Sequence, residues 1–138
     1  LKESIPKECN NIQFIEFASY EKLNDRLSCA DIHIVSLKKD FTGLAIPSKF
    51  FGSLAIGRPV LFSGSKKSNI TKWINDYNLG WSMNSENIEE VATEIIQIKE
   101  NKSKLLEYYV NSYNTYLKIF SLNEQLLKWN KLLIEITK

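Results

Sequence analysis

The sequence predicts an α/β fold: a parallel sheet with flanking helices and a helical C-terminal tail. Three observations carry this. Short β-rich segments alternate with segments of helical period as far as residue 83. Two of the β-rich segments, 31–37 and 60–62, are apolar through their centres, and from Ser85 onward the only periodicity is helical. Strand–helix alternation assembles into a parallel sheet through right-handed crossovers. Centrally apolar strands are what such a sheet needs when both its faces are covered.

In chain order, Asn11 to Phe17 alternates apolar and polar residues and reads as a strand. Ser19 suits the N-cap of the next helix, whose Tyr20, Leu23, Leu27 and Ala30 share one face. The strand Asp31 to Leu37 follows, then a loop from Lys38 to Ile46. Pro47 fits the first turn of a helix, where its missing N–H would have no intrahelical partner. That helix carries Phe50, Phe51, Leu54 and Ala55 and ends at Gly57 as a left-handed cap. Val60-Leu61-Phe62 is a short buried strand, and Ser63-Gly64-Ser65 turns the chain toward a helix bearing Ile70, Trp73, Ile74 and Tyr77. Gly80 to Met83 reads as a last short strand.

The tail begins with Ile88, Val91, Ala92, Ile95 and Ile98 at helical period, continued by Leu105, Leu106, Tyr109 and Tyr113 in a second helix. Ser121-Leu122-Asn123-Glu124 has the capping-box pattern, in which a serine oxygen and a glutamate carboxylate exchange bonds with free backbone N–H groups. Leu122, Leu126, Trp129, Leu133 and Ile136 then form one apolar stripe, which requires burial against this domain or another. No repeat, low-complexity tract or linker divides residues 1–138, so a single domain is expected.

Composition narrows the function classes. With 138 residues there is material for one core, and 43% hydrophobic with 25% charged residues is ordinary for a globular protein. No apolar run approaches the ~20 residues that span a bilayer. A net charge of +2, with lysines scattered apart from Lys38-Lys39 and Lys66-Lys67, gives little reason to expect nucleic acid. Cys9 and Cys29 have no CxxC spacing and read as free thiols by default. Leu1-Lys2-Glu3-Ser4 shows neither an initiator Met nor a signal-peptide pattern, which suggests a fragment.

Ligands of open α/β sheets bind beyond the carboxyl ends of the strands. Three loops hold that position: Phe17 to Ser19, Lys38 to Ile46, and Ser63 to Ser68. The middle one is the most informative, because Asp40-Phe41-Thr42-Gly43-Leu44 sets a carboxylate, a hydroxyl and a glycine before a helix start. Helix N-termini attract phosphate, and Gly43 allows close backbone approach. Ser48 and Lys49 add a hydroxyl and a full positive charge. By spacing alone, an exposed loop carboxylate and a surface lysine fit the same residues. His33, the only histidine, lies in an apolar run and reads as a buried histidine satisfied by its neighbours. There is no G-x-S-x-G elbow, Walker A loop, G-x-G-x-x-G or metal-ligand spacing.

Two blocks carry a family likeness. Ala30-Asp31-Ile32-His33-Ile34-Val35-Ser36-Leu37 with Phe41-Thr42-Gly43-Leu44-Ala45-Ile46-Pro47-Ser48-Lys49 resembles the C-terminal, Rossmann-like domain of family 4 GT-B glycosyltransferases. Leu54-Ala55-Ile56-Gly57-Arg58-Pro59-Val60, Gly80-Trp81 and Phe120-Ser121 fit the same group, nearest to bacterial enzymes of O-antigen, capsule or exopolysaccharide synthesis.

The resemblance implies a metal-independent, retaining transfer from a nucleotide-diphosphate sugar, UDP-linked by subgroup, with no cofactor. It places Asp40 near the donor sugar and Thr42, Gly43 and Leu44 against sugar and diphosphate. Phe41 belongs to that same loop. It puts Phe17, Ala18 and Ser19 at the base, and Ser48 and Lys49 in the Pro-Ser-Lys form of the next helix. Asp40 and Lys49 are thereby the expected catalytic residues. The implied partners are the donor, an N-terminal acceptor domain and a lipid-linked acceptor. The implied location is the cytoplasm, at or near the inner face of the cell membrane. Many members bind ribose with a glutamate five residues before the glycine, where this chain has Gly52. A complete domain of the family also begins with a βαβ unit that would precede Leu1, so a partial donor site, inactive alone, is expected. Two other readings stand beside it: a separately encoded donor-binding subunit that needs a partner, and a flavodoxin-like interaction domain without a donor.

Overall fold

The computed structural model describes Pro6 and residues 9–137; the opening Leu1-Lys2-Glu3-Ser4 lies outside the described residues. Three parallel strands, β1 (His33–Ser36), β2 (Val60–Ser63) and β3 (Gly80–Met83), pair in the order β1-β2-β3. His33 lies opposite Val60 and Val60 opposite Gly80. A short helix, α1 (Leu23–Ser28), precedes β1, and crossover helices α2 (Ser48–Ala55) and α3 (Asn69–Tyr77) join the strands, as the alternation predicts. The tail is formed by α4 (Ile88–Glu100), α5 (Lys102–Thr115) and α6 (Leu122–Ile136). The fold is α/β, compatible with a Rossmann-like domain.

The pleat divides the core between the two faces of the sheet. Val35, Val60 and Phe62 face α2 and α3, where Phe50, Leu54, Ile70 and Ile74 bury them. Leu61, Trp81 and Met83 point the other way, against Val91 and Ile98 of α4 and Tyr108 of α5. Trp81 is fixed further by its indole N–H, which donates to Glu94 at 2.9 Å.

Helix ends follow the sequence signals closely. Gly57, at φ +69°, stands past the end of α2. Its N–H bonds Leu54 O at 2.9 Å, and the Arg58 N–H bonds Ser53 O at 2.9 Å. This paired arrangement satisfies two orphan carbonyls and turns the chain into β2. Ser68, Asn101 and Ser121 cap α3, α5 and α6 with their side chains. Only half of the expected capping box at Ser121 forms: its hydroxyl accepts from Glu124 N–H, but its own N–H is taken by Tyr116 O at 2.8 Å. That bond closes the π-helical turn Tyr116–Phe120, which joins α5 to α6.

Two expectations are corrected. Residues 11–17 form no strand. A strand exists only by pairing, and among the described residues the sheet consists of β1, β2 and β3 alone. Phe17 is accordingly fully exposed, and the backbone here is held by Arg26, whose Nη2 donates to Glu16 O at 3.0 Å. Ser19 does not cap with its side chain; it opens a 3-10 turn, Tyr20–Lys22, ahead of α1. The apolar stripe on α6 is present but exposed, with Leu122 and Ile136 about 70% accessible.

Candidate functional site

The loop leaving β1 is built from local backbone bonds. A 3-10 turn, Lys39–Phe41, is closed by Phe41 N–H to Lys38 O and Thr42 N–H to Lys39 O, each at 3.0 Å. Leu44 N–H then returns to Phe41 O at 3.0 Å. Between them Gly43 adopts φ +84° with no atom within 4 Å of where a Cβ would stand. The turn therefore requires glycine for its backbone conformation, not for lack of room. Of the Thr42, Gly43 and Leu44 amides, the Gly43 N–H alone makes no hydrogen bond among the described residues. The Thr42 hydroxyl is buried and also unpartnered among them. Asp40, Phe41 and Leu44 are exposed.

Pro47 then starts α2 without a side-chain cap. The first-turn amides of Ser48 and Lys49 have no intrahelical acceptor, by the geometry of any helix start. Nothing on the Pro47 side chain replaces one, in contrast to the capped starts of α3, α5 and α6. The positive end of the α2 dipole, the Lys49 ammonium and the lysines Lys38 and Lys39 thus belong to one stretch of chain beyond the end of β1.

Ser48 and Lys49 also line a groove of about 600 Å³ along β1, between α1 and α2. Its walls include Leu23, Arg26 and Leu27 on one side and Gly52 and Ser53 on the other. Gly52 has nothing within 4 Å of a Cβ position, so the wall is open at that point. His33 lies on the groove floor, half-buried, with Nδ1 2.8 Å from Ser53 Oγ and Nε2 2.9 Å from Leu27 O. It is the satisfied histidine that the apolar context of its strand suggests.

Of the other two loops, the one after β2 has its side chains tied up and the one before α1 is open. After β2, the Ser65 hydroxyl accepts from Lys67 N–H, the Thr71 hydroxyl donates to Ser65 O, and Lys66 pairs with Glu86 at 2.6 Å. Hydrogen bonding and the charge of Lys66 hold the exposed Glu86 carboxyl below its ordinary range. Before α1, Phe17 and Ser19 are exposed and Ala18 half-exposed, and a bond from the Ser19 hydroxyl lowers the Glu21 carboxyl. The structure therefore gathers Ser48 and Lys49 on the groove, sets Asp40 to Leu44 in the loop that leads to them, and keeps Phe17 to Ser19 on the approach to α1.

Arg26 and Ser53 are groove residues that sequence reasoning missed. For Ser53 a signal existed: Ser48/Gly52 and Lys49/Ser53 are i, i+4 pairs, so small and polar residues repeat on one face of α2. Among the described residues, no group of three or more His, Cys, Asp or Glu side chains is placed to hold a metal ion. Cys9 and Cys29 are free and exposed. Among the same residues, no helix is long and apolar enough to cross a membrane.

Comparison with known proteins gives one informative relative. Over 81 residues the chain is 26% identical to "Probable glycosyltransferase WbjE" of Pseudomonas aeruginosa, a stretch covering 59% of this chain and 20% of that protein. The match thus spans about a fifth of the relative's length and supports a glycosyltransferase relationship. No protein-family profile matches the chain, and no solved structure matches it.

Proposed function

We propose that this chain is a donor-binding part of a glycosyltransferase of the GT-B type, taking a nucleotide-diphosphate sugar at the loop between β1 and α2. The observation that carries the reading is the uncapped start of α2, with Ser48 and Lys49 in its first turn and the left-handed Gly43 four residues before Pro47. A diphosphate is a doubly charged group that such a start recognises through N–H donors, the helix dipole and a lysine. The relationship to a glycosyltransferase selects a sugar nucleotide among phosphate ligands.

In this reading Lys49 and the Gly43 and Ser48 amides stabilise the negative charge that develops on the departing nucleoside diphosphate. The Thr42 and Leu44 amides, already bonded within the turn, shape the loop and do not donate to the ligand. Asp40 faces the sugar, and Phe41 and Leu44 supply apolar contact. Phe17, Ala18 and Ser19 approach the base, for which uracil is the expected choice. Transfer is retaining and independent of metal. The acceptor, a lipid-linked sugar of cell-surface polysaccharide synthesis, is presented by a separate N-terminal domain at the inner face of the membrane. Gly52 leaves ribose recognition to other groups.

The test is Lys49→Ala in the complete enzyme, with a fall in donor turnover of at least ~10-fold, about 1.4 kcal/mol. Unchanged kinetics would remove Lys49 from the site.

A further inference from the structure

We infer that His33 is a positioning residue: through Ser53 it sets the Lys49 end of α2, an inference that rests on the donor-site reading of Lys49. β1 is otherwise apolar at its centre, and a ring with two polar nitrogens is a poor substitute for Ile or Val there unless both nitrogens are bonded. Both are, and their partners belong to different helices. Nε2 lies 2.9 Å from Leu27 O in the last turn of α1. A carbonyl only accepts, so Nε2 carries a proton. Nδ1 lies 2.8 Å from the Ser53 hydroxyl on α2, whose residue is only 2% exposed.

The Ser53 hydroxyl lies 2.8 Å from Lys49 O as well. It has one proton and two acceptors within reach, the ring nitrogen and the Lys49 carbonyl. The position of the ring therefore decides how that proton is shared and how firmly the first turn of α2 is held. Because α1 buries no residue of its own, the bond to Leu27 O also ties one wall of the groove to the other. An apolar side chain at position 33 would keep the packing and release both ends.

The experiment uses this chain labelled for NMR, with His33→Leu, His33→Asn, Ser53→Ala and Lys49→Ala, and UDP as the probe. The Asn amide reaches where Nδ1 stands and keeps the Ser53 contact while losing Leu27 O. His33→Leu, which leaves the Ser53 proton to Lys49 O alone, and Ser53→Ala, which removes it, are expected to shift the Lys49 carbonyl ¹³C signal in opposite directions and to weaken UDP by about 5- to 10-fold, as for loss of one or two hydrogen bonds. His33→Asn is expected to restore both readouts. The double variant combining His33→Leu with Ser53→Ala is expected to cost no more than either single one, as for residues acting in series. An unchanged Lys49 carbonyl signal in His33→Leu overturns the inference. So does a shifted signal with unchanged UDP affinity when Lys49→Ala weakens UDP. If UDP affinity is indifferent to Lys49→Ala, the donor reading is what fails, and the Lys49 carbonyl signal alone decides whether His33 governs the helix start.

Discussion

The Tyr109 hydroxyl donates to Asp31 Oδ1 at 2.5 Å, joining α5 to the residue two before β1. The Arg58 guanidinium lies 4.3 Å from the Tyr109 ring centroid and donates to Ser28 O at 2.9 Å. These contacts gather the entrances of β1 and β2 onto the tail, at the end of the sheet opposite the loop that leaves β1.

Tyr109 gives a pH signature. Burial first, then the bond to Asp31 and its charge, push its hydroxyl from 10.0 up to about 12, against an opposing effect of Arg58. The folded state holds this proton more tightly than the unfolded one. The associated stability is whole below pH 10 and is lost as pH rises through about 12. Urea midpoints of the wild type should fall across that window, and Tyr109→Phe should lack that part of the fall. At neutral pH the Phe variant should cost about 1–2 kcal/mol, as for loss of a hydrogen bond to a charged group.

Gly80 and Gly57 form a graded pair. Gly80 sits at φ +131°, and a Cβ there would lie 2.2 Å from Val60 O and 2.7 Å from Val60 N, both backbone atoms of the adjacent strand. Neither can move without breaking the ladder, so Gly80→Ala should cost about 3 kcal/mol or more. Gly57, at φ +69°, meets Tyr109 O only at 3.4 Å, and Gly57→Ala should cost about 1 kcal/mol. Denaturant titration of the two variants checks both the order and the gap.

Ser112 runs the other way. It is fully buried in α5, and its hydroxyl has no partner among the described residues. Ser112→Ala removes an unsatisfied polar group at almost constant volume. The melting temperature should hold or rise, by the equivalent of up to about 1 kcal/mol. A clear loss of stability would mean that the hydroxyl has an acceptor in solution.

Much of this architecture was legible in the residues, and the failures have a common cause. Gly57 and the apolar centre of 60–62 are local signals that mark the features they predict, and Pro47 and Ser121 mark helix starts, Pro47 as the N-cap rather than within the first turn. The apolar run 31–37 is a strand but is covered on one face only, with Ile34 exposed. The segment 11–17 has equally good strand periodicity, yet pairing is a property of neighbours, and among the described residues no strand lies beside it. The same limit hides Ser53 and Leu27 as partners of His33, and Tyr109 as partner of Asp31, 78 positions away. On α6 the stripe of Leu122, Leu126, Leu133 and Ile136 is correctly helical, but its need for a partner is unmet among the described residues. At the candidate site the type of each residue was readable. Which amides the turn already occupies was not, because that depends on the 3-10 geometry of Lys39–Phe41.

The most direct test of the donor reading is an amide chemical-shift map of this chain titrated with UDP and a UDP-sugar, repeated with Lys49→Ala. The reading predicts saturable shifts concentrated on Asp40 to Leu44, on Ser48 and Lys49 and on Phe17 to Ser19, lost or weakened at least ~10-fold in the variant. Shifts that settle elsewhere on the molecule, or that are indifferent to Lys49, would contradict it.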